Sequence, residues 1–194
     1  MAFIIEDGTG SGRTAGVSDD NRLLTESIGL TFLDYRTSLG QAYNIHTDTL
    51  TLTNAVEDGI LYIKNDRANS IMLVSDILLG VGKGTVGTGD VIFKVYANPT
   101  GGTLLSAGTA VTPENRNLGS KLPAQLTALK MASVGQTITG GSLLSGRVMQ
   151  DASRIDIGAG WVLPTGSSVA MSVTPPASNT SMRAMIVATV AFLS

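Results

Sequence analysis

The chain of 194 residues contains no cysteine and only one histidine, His46. The first absence removes disulfides, thiol nucleophiles and sulfur-ligated metals together. The second excludes zinc sites built from several imidazoles of one chain, and it obliges any Ser-His-Asp arrangement to use His46. No G-x-S-x-G elbow occurs to supply the nucleophile. His46, beside Asp48 in Tyr43-Asn44-Ile45-His46-Thr47-Asp48-Thr49, therefore reads as a turn or surface residue at a strand entrance. Charge is scarce as well. Only 14% of residues are charged and the net charge is -2, which leaves no electrostatic footprint for nucleic acid or an anionic membrane. The longest hydrophobic stretch, 181–193, is too short to span a bilayer as a helix and carries Arg183 inside it, so it reads as a buried strand. The opening Met1-Ala2-Phe3-Ile4-Ile5-Glu6-Asp7 has no basic n-region and no long apolar h-region. The expectation is a chain made and folded in a cytoplasm.

Paired acids are the remaining route to chemistry. Asp19-Asp20, Glu57-Asp58 and Asp151 with Asp156 would suit glycoside hydrolysis, in which two carboxyl groups flank the scissile bond. Each pair lies in a polar or glycine-bearing segment and reads as a solvated turn. Asp19, Asp20 and Asn21 lack the D-x-[DN]-x-[DN]-G spacing of a calcium loop. The expectation is a protein that is not an enzyme, with no catalytic residue, cofactor or metal.

What is present is glycine, 23 residues of it, with many Ser, Thr, Val and Leu. One glycine cluster, Val81-Gly82-Lys83-Gly84-Thr85-Val86-Gly87-Thr88-Gly89, contains a literal G-x-G-x-x-G after an apolar run. A dinucleotide fingerprint needs a helix next, because the helix N-terminus holds the pyrophosphate. The following Asp90-Val91-Ile92-Phe93-Lys94-Val95-Tyr96-Ala97 alternates with period two and ends at Asn98-Pro99, which makes it a strand. The glycines read as a loop between two strands.

Residues 1–40 differ from the rest. Glu6-Asp7-Gly8-Thr9-Gly10-Ser11-Gly12-Arg13 is too glycine-rich to build a core, and only short apolar pieces such as Leu23-Leu24 follow. The segment reads as an N-terminal arm that needs a partner surface to be ordered. Phe3, Ile4 and Ile5 are its candidate apolar anchors, adding to a neighbour's sheet edge or groove, with Arg13 and Arg22 as polar clamps and Leu23 and Leu24 as further contacts. Residues 41–194 read as one β-sandwich domain. Its expected strands cover 50–53, 59–65 after a turn at 54–58, 71–79, 91–97, a start at Thr103-Leu104-Leu105, a stretch from Leu126, 142–149, 166–174 and 182–193, the last being the longest. In 166–174, Val169, Met171 and Val173 face one way while Ser168, Ala170, Ser172 and Thr174 face the other, the pattern of an antiparallel sheet with a wet side. Trp161, in the apolar Gly158-Ala159-Gly160-Trp161-Val162-Leu163, suits a core role better than a sugar-stacking platform.

The opening E-D-G-T-G-S-G followed by S-D-D-N-R-L (residues 18–23) resembles the start of a group of tailed-bacteriophage virion proteins, the head decoration or cement proteins. Further likeness lies in Leu61-Tyr62-Ile63-Lys64-Asn65, in Val95-Tyr96-Ala97-Asn98-Pro99-Thr100-Gly101-Gly102-Thr103, and in Leu163-Pro164-Thr165-Gly166-Ser167-Ser168 with Thr174-Pro175-Pro176-Ala177-Ser178-Asn179-Thr180. These are turn-and-strand patterns that span most of the chain. The resemblance implies an all-β, jelly-roll-like antiparallel β-sandwich with an extended N-terminal arm. It implies a homotrimer on the outer surface of a phage head, bound to the major capsid protein and to neighbouring decoration subunits, with synthesis in the bacterial host cytoplasm. It brings no catalytic residue and no cofactor. The alternative is a tail-associated or fibre receptor-binding module, which would call for exposed aromatics, yet the chain holds only one Trp, four Tyr and four Phe.

Overall fold

The structure, a computed structural model, describes residues 16–17, 23–24, 31–52, 55–82, 89–150, 153–177 and 181–193. The chain divides into two compact units, 1–31 and 32–194. In the first, β1 (Gly16–Val17) pairs antiparallel with β2 (Leu23–Leu24), Gly16 opposite Leu24.

The second unit opens with helix α1 (Phe32–Ser38), so the segment expected to be arm contains a helix of the folded body. On α1 the Arg36 guanidinium lies over the rings of Phe32 and Tyr35 at 5.3 and 5.6 Å. The helix packs on β3 (Ala42–His46) and β14 (Arg183–Leu193). There Ala42 and Ala191, partners in register, are fully buried. The remaining elements are β4 (Leu50–Thr51), β5 (Asp58–Asn65), β6 (Ile71–Gly82), β7 (Asp90–Ala97), α2 (Thr103–Ala107), β8 (Thr109–Ala110), β9 (Glu114–Asn115), β10 (Leu126–Lys130), β11 (Ser142–Gln150), β12 (Arg154–Leu163) and β13 (Ser168–Thr174).

These strands make two sheets. The first runs β11-β7-β13-β5-β10-β8 and the second β12-β6-β14-β3-β9, with β4 also on β14. Every strand pairing among the described residues is antiparallel. The protein is an all-β antiparallel sandwich. Its eight long strands pair first to last: β3 with β14, β5 with β13, β6 with β12, and β7 with β11. That is the pattern of one long hairpin wrapped across two sheets.

Period-two alternation turns one row of each strand into the space between the sheets. The first sheet contributes Val91, Phe93 and Val95 from β7 and Val169, Met171 and Val173 from β13. The second contributes Met72, Val74, Ile77 and Leu79 from β6 and Ile186, Ala188, Val190 and Phe192 from β14. Each large apolar side chain in this cluster contributes about 1.5–3 kcal/mol by leaving water. Tyr43 meets Phe192 edge to face, with ring centroids 6.0 Å apart, and the Arg67 guanidinium lies 5.2 Å from the Phe192 ring.

Residues 98–141, between β7 and β11, depart from the simple wrapped hairpin. They cross to the far side of the first sheet, where β10 pairs with β5, and also add β9 to β3 of the second sheet. Thr103–Leu105, expected to start a strand, instead form α2. Gly102 sets the bend: its φ is 109°, and a Cβ there would sit 2.3 Å from the Thr137 carbonyl oxygen. Leu104 is fully buried against Tyr62 and Ala170, on the face of the first sheet away from the main core. The expected wet face of β13 is accordingly dry, with Ser168, Ala170 and Ser172 all buried. The longest strand is β6, of 12 residues, one more than β14. Asp58, expected in a turn, begins β5.

Candidate assembly interface at the open end of the sandwich

A sandwich has four sheet edges, and here they come in two unlike pairs. At one end the edges are β8 and β9, two residues each. They are tied in by loop contacts: Asn115 Nδ2 donates to the Gly40 carbonyl at 2.8 Å, Arg116 N–H to the Ala42 carbonyl at 2.9 Å, and Val111 N–H to the Ala128 carbonyl at 2.9 Å. At the other end the edges are β11 and β12, nine and ten residues long, each paired along one side only. Neither carries Lys or Pro, and what guards them is a core-side Arg147 on β11, Arg154 and Asp156 on β12, and a bulge in each.

The polarity of β11 is inverted. Its partners on β7 fix its rows: Met149, Arg147 and Ser145 lie opposite the buried Val91, Phe93 and Val95, whereas Val148 and Leu143 lie opposite Ile92 and Tyr96 on the outer face. Only Met149 of the core-side row is fully buried, and Arg147 is exposed. The outer face is the apolar one, with Leu143 59% and Val148 66% exposed beside a solvent-facing Ile92. Across the end of the sandwich Val162 of β12 is exposed as well. An edge strand that turns its apolar row outward is built to be covered.

Both edge strands are also bulged. The β11 register slips between Leu143 and Ser145, and the β12 register slips between Gly158 and Trp161, where Gly160 takes φ 58°. Bulges re-aim side chains. Here they flank a cavity of about 340 Å³ lined by Leu144, Trp161, Val162, Pro164 and Val169. Trp161 is half-buried and packs against the main core, so its ring is one wall of this slot.

The chemical candidates read from the sequence are not gathered into a site. His46 Nδ1 is 3.5 Å from Asp48 and its Nε2 is 3.5 Å from Glu114, with the imidazole 40% exposed and both carboxylates more so. The Lys130 ammonium bonds Asp48 and holds that carboxyl below its ordinary range. Among the described residues no nucleophile lies within hydrogen-bond reach of His46, and no group of three His, Asp or Glu is placed to hold a metal ion.

Glu57 and Asp58 are not a solvated turn. Asp58 is fully buried and its Oδ1 accepts the Gly135 N–H at 2.6 Å. Glu57 accepts hydrogen bonds from Lys94 Nζ (2.7 Å), Tyr96 Oη (2.6 Å) and Ser172 Oγ (2.6 Å). Partial burial pushes the Glu57 carboxyl up, but these three donors outweigh it and hold the group below the usual range. The network fastens the 55–57 turn to the outer face of the first sheet. Asp156 stands exposed on β12, away from these groups, and Asp151, Asp19, Asp20 and Asn21 lie outside the described residues.

Phe3, Ile4, Ile5, Arg13 and Arg22 lie outside the described residues, and of Leu23 and Leu24 only the backbone, as β2, is described. The glycines at 84–88 and Lys83 are likewise outside them, but β6 and β7 on either side belong to different sheets. The fingerprint is thus preceded and followed by strands, as its context indicated. The β11–β12 end was not foreseen. The signal was available in Ser145, Arg147 and Met149 alternating with Leu144, Gly146 and Val148, but only the pairing with β7 shows which parity faces the core.

No family model matches the chain, and no curated protein is significantly similar to it.

Proposed function

We propose that this chain is a structural protein of a tailed-phage particle, a capsid decoration or cement protein that binds the outer surface of the head and stabilises it. The observation that carries the reading is the β11–β12 end, a pair of long sheet edges of which β11 turns an apolar row outward. It offers surface for subunit contacts and no assembled chemistry. The partners are the major capsid protein and further copies of this chain, as the homotrimer of the resemblance. The strand order supports a jelly roll specifically: β3-β14-β6-β12 in one sheet and β5-β13-β7-β11 in the other are the two interlocked Greek keys of that topology. Trp161, walled into the sandwich end, and the scarcity of aromatics weigh against the sugar-binding tail module. Many equal contacts on one shell also suit weak individual interfaces, since linked sites can raise avidity by about two to four orders of magnitude.

The test mixes the purified chain with empty heads and measures copies bound and the temperature at which the shells open. The wild type binds at shell-scale copy number and raises that temperature. Leu143→Glu with Val148→Lys abolishes both effects while its own stability stays within about 0.5 kcal/mol of wild type, as expected of exposed positions. Binding to host cells with no binding to heads overturns the reading in favour of the adhesion module.

A further inference from the structure

The outer face of the second sheet holds a second site of different character. Across β12, β6 and β14 the register places Arg154, Gly80 and Met185 in one row, with Gly82 and Arg183 two residues further along β6 and β14. The two arginines thus flank bare backbone from opposite sides. Two inter-strand spacings and two residues of strand rise put their Cα atoms about 12 Å apart, within converging reach of two guanidinium side chains. The result is a trough of about 450 Å³, with Thr49 and Ser153 at its rim and Met185 on its floor.

Among the described residues nothing calls for glycine at Gly80 or at Gly82, the last residue of β6. Neither has a positive φ, and the β6–β14 register runs unbroken through both. A Cβ at Gly80 would meet nothing nearer than 4.0 Å, and one at Gly82 nothing nearer than 3.8 Å. Glycine inside a strand costs stability, and where no bulge or bend needs it, it marks close approach by something else. The arginines agree with that. Both are exposed, and among the described residues neither forms an ion pair or a side-chain hydrogen bond and no carboxylate lines the trough. Two bidentate guanidinium forks over a flat floor are complementary to two carboxylates carried on an extended backbone.

We propose that this trough docks an acidic peptide segment of a partner protein, its carboxylates held by Arg154 and Arg183 and its backbone lying over Gly80 and Gly82. Arg154 belongs to the edge strand β12, but its place is on the outer face of the sheet beside β6 and β14, so the trough can be tested separately from the apolar row of β11.

The test is an amide NMR titration of the full chain with a capped Glu-Gly-Glu-Gly peptide, with inorganic phosphate and glucuronic acid as separate arms. Saturable shifts are expected at Gly80, Gly82 and Arg183 with the peptide, and binding at least about tenfold weaker in the Arg154→Gln, Arg183→Gln double variant. Gly80→Val keeps both charges and fills the floor, and the open space above Gly80 lets the variant fold. It is expected to lose peptide binding to a similar extent while shifts outside the trough match wild type. Unchanged peptide binding in Gly80→Val overturns the proposal, as it leaves only diffuse attraction to two surface cations. Tighter binding of phosphate or of glucuronic acid than of the peptide overturns it in favour of a phosphorylated or glycan ligand.

Discussion

At the residue scale, the polar groups inside this sandwich are the informative ones. Asn65 is fully buried, and its Nδ2 donates to the carbonyls of Ser70 (3.0 Å) and Leu163 (2.9 Å) while its Oδ1 accepts the Arg67 N–H (3.0 Å). One side chain thereby ties the end of β5 to the start of β6 and the end of β12. Asn65→Ala removes all three bonds, although the Thr165 hydroxyl still donates to the Ser70 carbonyl at 3.1 Å, and is expected to cost about 1–3 kcal/mol in denaturant unfolding. Glu57 makes a pH-dependent contribution. Its folded carboxyl is held below its ordinary value, so the stability it adds is present above the unfolded pKa of about 4.3 and fades as pH falls through the lower folded value. Glu57→Gln is expected to flatten the stability profile between about pH 5 and pH 3, read from urea midpoints at each pH. Neither role was legible in the sequence. Glu57-Asp58 looked like a surface turn because the donors that enclose it, Lys94, Tyr96 and Ser172, come from β7 and β13, more than thirty residues away.

At the scale of elements, the strands with clean alternation were readable and those that break it were not. Asp90–Ala97 and Ser168–Thr174 announce themselves by parity, and the apolar row expected of the latter, Val169, Met171 and Val173, is the one that faces the core. Arg154–Leu163 escaped notice as a strand, because Gly158 and Gly160 interrupt the alternation at the point where the strand bulges. Thr103–Leu105 misled for a different reason. Its β-like composition serves a helical turn whose Leu104 plugs the far side of the sheet, and no local pattern encodes that a connection will pass over β13 and β5. The same crossing explains why Ala170 is small: a larger side chain would hold Leu104 off, while Ser172 is covered separately by Glu57. Leu104→Ala is expected to destabilise the protein by about 2–5 kcal/mol, measured by chemical denaturation. Hydrogen exchange should show the loss concentrated in the amides of residues 98–141.

At the scale of the whole molecule, the all-β class was legible from glycine-rich turns and short strands, while the position of the candidate interface was not, since edges exist only once strands have neighbours. Among the described residues, the main cluster of buried apolar side chains lies within the unit 32–194. Removing residues 1–31 is therefore expected to leave its melting temperature within about 2 °C of the full chain, by calorimetry, while weakening attachment to heads if Phe3, Ile4 and Ile5 anchor there. One topological feature reaches beyond the finished fold. Strand β13 lies between β7 and β5, and β14 lies between β6 and β3, so each sheet receives one of its central members from the last strands to be made. During translation the earlier strands would emerge from the ribosome with a strand-wide gap in each layer, their apolar rows unmatched. The nascent polypeptide can close both layers only once β14 has left the ribosome, so the waiting halves depend until then on whatever chaperone shields them.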